Sequence, residues 1–259
     1  MTAHTSTATK VALVTGAARR IGRAISLALA RDGWDVAVHY RTSRADALRT
    51  VHEVEQLGRR ALAVQCDLGL EADVRSLLDQ CAPLGAVVCL VNNASLFEQD
   101  DAVRFQADLL AKLMRTNAAA PILLAQGLHA RLRDGEHGVV INLLDQKLWN
   151  PNPDFFSYTL SKAALKEATT LLAQALAPRV RVAGVAPGVT LASGGQSDAG
   201  FAAAHARTPL GRSSTPDDIA QAVVYLVNAR AVTGTTLLVD GGQHLVPSAR
   251  DIMFLTEPK

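Results

Sequence analysis

Short apolar runs alternate with amphipathic stretches along nearly the whole chain. The first run, Lys10 to Thr15, reads KVALVT and stops at the turn Gly16-Ala17-Ala18-Arg19-Arg20-Ile21-Gly22. A helical pattern from about Ile21 to Arg31 follows and closes at Asp32-Gly33, and Asp35 to Tyr40 is a second strand. This is a βαβ unit within the first forty residues. The alternation predicts helices over roughly 43–57 and 71–81 and strands over 60–65 and 86–91. It continues with a helical stretch over about 101–132 and a strand over 138–144. A long helix runs from about Asp154 to Pro178, followed by a strand from Arg179 to Val185. Ser214-Thr215-Pro216-Asp217-Asp218 is a helix start, with Thr215 as N-cap, Pro216 in the first turn and acids facing the positive end of the dipole. Thr235 to Val239 is the last strand, stopped by Asp240-Gly241-Gly242.

Seven strands alternating with helices predict an α/β fold: one Rossmann-like, doubly wound domain over 10–259 with a seven-stranded parallel sheet. Residues 1–9 read as a disordered, polar tail unlike a signal peptide. One region breaks the pattern: Leu191 to Thr208 is rich in Ser, Gly, Ala and Asp. It follows a strand end, where open α/β sheets bind ligands, so it is favoured as a mobile substrate-covering segment over a disordered insert.

Composition adds limits. About half of the residues are apolar and the net charge is +2, which gives no reason to expect nucleic acid or a membrane surface as partner. Cys66, Cys81 and Cys89 sit in or beside apolar runs without metal-ligand spacing. They read as buried thiols of a reducing compartment, so a cytoplasmic protein without a metal is expected.

The candidate chemistry begins after the strand at 138–144. Tyr158 and Lys162 are four residues apart and share a helix face, which predicts an ammonium beside a phenol and a lowered tyrosine pKa. Alone, such a pair is in most proteins a surface pair on an amphipathic helix. The turn after the first strand holds Gly16 and Gly22, and a strand, a glycine turn and a helix N-terminus make an anion site. It lacks the middle glycine of the full dinucleotide fingerprint, since Arg20 stands there. The second strand ends His39-Tyr40-Arg41-Thr42-Ser43-Arg44, with no acid before Asp46. An acid there would bond a ribose 2′-hydroxyl; Arg41, Ser43 and Arg44 suit a 2′-phosphate instead, which predicts NADPH.

Taken together, Thr15-Gly16-Ala17-Ala18-Arg19-Arg20-Ile21-Gly22, Asp67-Leu68, Asn92-Asn93-Ala94, Asn117, Tyr158/Lys162 and Pro187-Gly188 stand in the order found in the short-chain dehydrogenase/reductase family, which the chain resembles over nearly its whole length. The resemblance implies that Asp67 bonds the adenine, while Asn93 and Ala94 line the adenosine and ribose path. It implies that Lys162 holds the nicotinamide ribose and tunes Tyr158, and that Asn117 places a water in a proton relay to Lys162. Pro187, Gly188 and Val189 would flank the nicotinamide. A homotetramer is implied in the same way.

Departures from the family pattern narrow the expectation. The family's substrate-binding serine lies thirteen residues before the tyrosine, where this chain has Asp145. An ionised carboxylate only accepts hydrogen bonds and would repel the oxyanion of ketone reduction. Either Asp145 acts protonated, or the substrate brings N–H groups and a nitrogen that needs a proton. Ser95 replaces a glycine after Asn92-Asn93-Ala94 and is followed by Leu96-Phe97. Together with Arg20 and His39-Tyr40, these features resemble the pteridine reductases and dihydromonapterin reductases. By that resemblance a pterin stacks on Phe97, Arg20 and Ser95 contact pterin and cofactor phosphates, and Asp145 works with Tyr158 to protonate a ring nitrogen. The expected activity is NADPH-dependent reduction of pterin C=N bonds, with carbonyl reduction as the alternative and a non-catalytic NADP(H)-binding protein as a third reading.

Overall fold

The computed structural model describes residues 10–192 and 196–256. The expectation of a disordered tail over 1–9 lies outside the described residues, as does the middle of the segment 191–208.

The strands are β1 (Val11–Val14), β2 (Asp35–Tyr40), β3 (Ala61–Gln65), β4 (Val87–Asn92), β5 (Gly138–Leu143), β6 (Val180–Pro187) and β7 (Thr236–Val239). They form one parallel sheet in the order β3-β2-β1-β4-β5-β6-β7. The larger helices are α1 (Arg20–Arg31), α2 (Arg44–Gln56), α3 (Glu71–Gln80), α4 (Ala107–Met114), α5 (Ala120–Arg131), α6 (Phe156–Ala175), α7 (Asp198–Ala206) and α8 (Pro216–Asn228), with a short α9 (Met253–Thr256) at the end.

Side chains alternate faces along a strand, so each central strand feeds two cores. Ala12, Val14, Val36, Val38, Val91 and Ile141 pack with Ile25 and Leu29 of α1, Val54 of α2 and Ile219, Val223 and Leu226 of α8. Val11, Leu13, Ala37, Leu90 and Val140 face the other way, onto Val74 and Leu77 of α3 and Leu124 and Leu128 of α5. Burial on both faces explains why these strands read as unbroken apolar runs. Cys66, Cys81 and Cys89 are free and buried within these layers, and desolvation pushes each thiol up to about 12.

The chain leaves the sheet at edge strand β3 and returns to its middle at β4, beside β1. The crevice at the C-terminal ends of β1 and β4 is therefore the switch point where ligands bind in open α/β sheets.

Three stretches differ from the pattern reading. Asp101 to Gln106 is not helical: the Asp101 carboxylate accepts from the N–H groups of Val103 and Arg104, both at 2.8 Å, which makes a local turn. The long helix begins at Phe156, after Phe155 in a left-handed conformation (φ 53°), and Asp100 takes the Ser157 backbone N–H at 2.9 Å. Within 191–208, Asp198–Ala206 forms helix α7, with Ser197 as its N-cap accepting from Gly200 N at 3.0 Å. The helix start at Thr215 is as expected, with Asp218 completing a reciprocal capping box.

Candidate active site

At the end of β1 the chain turns through Gly16, whose φ of +62° suits a residue without Cβ. Helix α1 then starts with no side chain capping its first amides and no acid in its first turn. That leaves amide dipoles available to an anion. A Cβ on Gly22 would overlap the Gly16 carbonyl and lie 2.6 Å from Asn93 Nδ2, so glycine lets the turn sit tightly on the β4 end. Asn93 donates to the Thr15 carbonyl at 2.8 Å, and Thr15 Oγ1 accepts from the N–H groups of Asn93 and Ala94 at 2.9 and 3.0 Å. Thr15 thereby joins the two strand ends that flank the switch point.

His39 locks this corner. Its Nδ1 accepts from Gly16 N at 3.0 Å and its Nε2 lies 3.1 Å from the Cys66 carbonyl. An amide N–H facing Nδ1 requires the neutral ring with its proton on Nε2. Burial at 2% exposure lowers the His39 pKa to about 4, opposed by the Cys66 carbonyl and the Asp67 charge. The unfolded chain therefore binds a proton that the folded protein refuses between the ordinary value of 6.5 and about 4. Stability attributable to His39 is intact above pH 6.5 and falls as pH drops through that window, by roughly 3 kcal/mol in all. Urea unfolding of the wild-type protein and of His39→Asn at pH 7 and pH 4.5 checks this. The wild type should lose more stability than the variant, and equal losses would assign the acid sensitivity elsewhere.

Gly16, Arg20, Ile21, Gly22, His39, Tyr40, Arg41, Ser43, Asp67, Leu68, Asn93, Ala94 and Ser95 line one cleft. Tyr158, Lys162, Pro187, Gly188 and Val189 line a second cleft with Phe97 and Asp145. Arg20, Ile21, Asn93 and Ser95 belong to both, so the two clefts form one extended trough. At the β2 end, no ion pair engages the Arg41 or Arg44 guanidinium among the described residues, and Asp67 Oδ1 is held by Gly69 N at 2.8 Å. Arg20, itself at φ 55°, donates through both terminal nitrogens to the Ala192 carbonyl at 3.1 Å.

In the second cleft, Tyr158 Oη donates to Asp145 Oδ2 at 2.8 Å, and Lys147 N donates to Asp145 Oδ1 at 2.8 Å. Lys162 donates to the Leu143 carbonyl at 2.8 Å and sits 5.9 Å from the Tyr158 ring centre. Burial and the Asp145 carboxylate push the Tyr158 pKa well up, contrary to the lowering expected from Lys162. The reason is geometric: the phenol faces a carboxylate, while the ammonium points to a backbone carbonyl. Desolvation lowers Lys162 to about 8 despite Asp145, and raises Asp145 against its two hydrogen-bond donors. Tyr158 is thus a protonated phenol at neutral pH, in contact with a carboxyl group drawn toward protonation.

Asn117 does not face Lys162 with its side chain. The amide is spent on Leu96 N at 2.8 Å, the Leu96 carbonyl at 2.9 Å and Ser161 Oγ at 3.0 Å. It lies in a π turn, Arg115–Ala119, between α4 and α5. Pro121 stands four residues on and has no N–H to give the Asn117 carbonyl, which an α-helix would require.

Phe97 is 43% exposed and stacks on Phe155 at 4.2 Å, with its edge relation to Tyr158 at 4.7 Å. An aromatic ring held by Phe155 and still partly exposed can serve as a platform for a flat ligand. Sequence reading missed Gln146, Lys147, Thr190, Gln196, Gln243, Asp251, Ile252 and Met253, which also line the cleft. Gln146 and Lys147, directly after Asp145, were within reach of spacing; residues 251–253 arrive by a tertiary contact that no local pattern signals.

Known proteins bear on the site. The family model described as enoyl-(acyl carrier protein) reductase matches residues 16–244. An uncharacterised oxidoreductase of Methylorubrum extorquens is 36% identical over 243 residues, covering 90% of this chain and 97% of its own. The crystal structure of FolM alternative dihydrofolate reductase 1 from Brucella suis, in complex with NADP, superposes with a TM-score of 0.85 at 40% identity, over 92% of this chain and 96% of that one. The promiscuous reductase LugOII, which catalyses keto-reduction at C1 in lugdunomycin biosynthesis, gives a TM-score of 0.83 at 33% identity, over 92% and 98%.

Proposed function

The chain belongs to the short-chain dehydrogenase/reductase family, and from that premise we propose that it is an NADPH-dependent reductase acting on a C=N bond of a pterin. The observation that carries this reading is the 2.8 Å contact of Tyr158 with Asp145 in one cleft with the partly exposed Phe97. A carboxyl group at that position suits a ring with N–H donors and a basic nitrogen better than it suits a simple ketone oxygen. The likeness to FolM alternative dihydrofolate reductase, solved with NADP, supports both the cofactor and the pterin-like ring.

The trough fits such a cofactor. The uncapped start of α1 and the close Gly16–Gly22 turn suit a pyrophosphate, and the β2 end offers Arg41 and Ser43 to a 2′-phosphate without an opposing acid. Asp67 and Leu68 would take the adenine, Asn93 and Ala94 the ribose path, Lys162 the ribose hydroxyls, and Pro187, Gly188 and Val189 the nicotinamide. When bound, the nicotinamide supplies the hydride.

The residues then have distinct work. Phe97 stacks the ring, and Ser95 and Arg20 hold its polar edge where the two clefts meet. Tyr158 gives its phenolic proton to the ring nitrogen as the neighbouring carbon gains the hydride, so one hydride and one proton are added across C=N. Burial keeps Tyr158 protonated beforehand, and the Lys162 charge offsets the phenolate afterwards. Asp145 orients the Tyr158 hydroxyl, and the phenolate regains its proton from solvent through the Lys162 relay. A water on the Asn117 carbonyl would link Lys162 to solvent.

A second reading, carbonyl reduction, is favoured by the raised pKa of Asp145, since a protonated carboxyl can donate to a ketone oxygen, and by the likeness to LugOII. Parallel assays of NADPH oxidation with a dihydropterin and with a simple ketone separate the two. Pterin-dependent oxidation is expected; oxidation with the ketone alone would move the assignment to the second reading. Arg41→Asp should shift the NADPH/NADH ratio of kcat/KM toward NADH by about tenfold or more. An unchanged ratio would place the 2′-phosphate contact elsewhere. Assembly into a tetramer belongs to the same reading, supported by the exposed apolar residues Leu160 and Leu171 of α6, Tyr225 of α8 and Leu237 of β7.

A further inference from the structure

The C-terminal segment brings a second carboxylate into the substrate cleft. Asp251 lines the same cleft as Phe97, Asp145 and Tyr158, and its side chain remains 20% exposed. The segment is strapped down from several sides. Asp154 Oδ2 accepts from Asp251 N at 2.6 Å, Arg250 pairs with the same carboxylate at 2.8 Å, and Phe254 stacks on Phe155 at 5.7 Å. The Asp251 carboxylate is itself fixed, with Oδ1 accepting from Met253 N at 3.2 Å and Oδ2 from Lys147 Nζ at 3.3 Å.

Lys147 ties the two carboxylates of the cleft together. The lysine is buried, its backbone N–H orients Asp145, and its ammonium is shared between the Asp154 carbonyl and Asp251. Lys147 thus serves both cleft-lining carboxylates, while the Lys162 charge acts on Asp145. Each ionised carboxylate has about four lone-pair sites, and the donors named above use only two at Asp251. What remains is acceptor capacity with negative charge, set in the wall of a cleft that also offers an aromatic platform.

We propose that Asp251 is a specificity-determining residue whose carboxylate selects substrates that present an amino or amidine-like N–H edge. The inference rests on the pterin reading and deepens it, because a pterin carries an exocyclic amine beside a ring nitrogen. A ligand whose edge is only carbonyl would set acceptor against acceptor here and lose the contact.

The test compares a pterin with its 2-oxo analogue lumazine, in which a carbonyl replaces the amine. Binding of both to the enzyme–NADP+ complex and their reduction by NADPH are measured for the wild type, Asp251→Asn and Asp251→Ala. The wild type should favour the pterin by about 10- to 100-fold in Kd. Both variants should bring the two ligands within about threefold of each other, with NADPH affinity unchanged within about twofold. A wild-type protein without preference overturns the inference before any variant is made, and variants that keep the full preference overturn it equally. If the pterin is reduced but the preference survives in both variants, Asp251 fails while the pterin reading stands. If the pterin binds with a preference lost in the variants yet is never reduced, the carboxylate's role stands and the pterin-reductase reading fails. Neither binding nor reduction of the pterin removes both.

Discussion

Replacing Tyr158 by phenylalanine should lower kcat for the preferred substrate by about 10²- to 10⁴-fold, the range of a lost general acid, while NADPH affinity stays nearly unchanged. The substitution removes one oxygen and keeps the ring that meets Phe97 at 4.7 Å. It takes away the proton source and a donor to Asp145, whose remaining donor among the described residues is Lys147 N. Since the substitution removes only the hydroxyl, the loss should fall on kcat rather than on cofactor Kd. Steady-state NADPH oxidation and fluorescence titration of NADPH separate the two. Residual turnover within about tenfold of wild type would remove Tyr158 as the acid.

Asp145→Ser should cut pterin kcat/KM by about 10²-fold and raise turnover of simple ketones. Serine can donate to a ketone oxygen, which a carboxylate cannot, but it carries no charge to match N–H donors. The pH profile adds a second readout. In the wild type the Tyr158 phenol is held far up partly by Asp145, and Lys162 titrates at about 8 partly because Asp145 favours its charge. Without Asp145, the Tyr158 pKa should fall and that of Lys162 should fall further, so the alkaline limb of kcat/KM should move to lower pH. A limb left in place, with pterin turnover intact, would show that Asp145 is not coupled to the acid.

The sheet was legible because its strands are covered on both faces: KVALVT at β1 and the run into β5 have no polar alternation to hide them. The trough was legible at the residue level wherever a strand end carries a turn, as at Gly16, His39 and Asn93, because backbone geometry there is tied to local sequence. Helix α7 was not legible, since Ala-rich residues 198–206 have no distinct apolar stripe and the segment looks like a loop by composition. The sign of the Tyr158 shift was also out of reach. Helical spacing places Lys162 near the ring, but only the tertiary structure reveals that its ammonium goes to the Leu143 carbonyl and that the phenol meets Asp145. Asp251 escaped for a similar reason: its place in the cleft depends on Lys147, distant by more than a hundred residues.

The most direct test of the central claim is to follow the hydride. The enzyme is incubated with NADPH deuterated on the transferred face of nicotinamide C4 and a dihydropterin, and the product is analysed by mass spectrometry and NMR. The expected result is one deuterium on the ring carbon of the former C=N bond, with the new N–H proton coming from solvent through Tyr158. Cofactor oxidation with no deuterium in the pterin, or label found only in a carbonyl-derived alcohol when a ketone is supplied beside it, would contradict it.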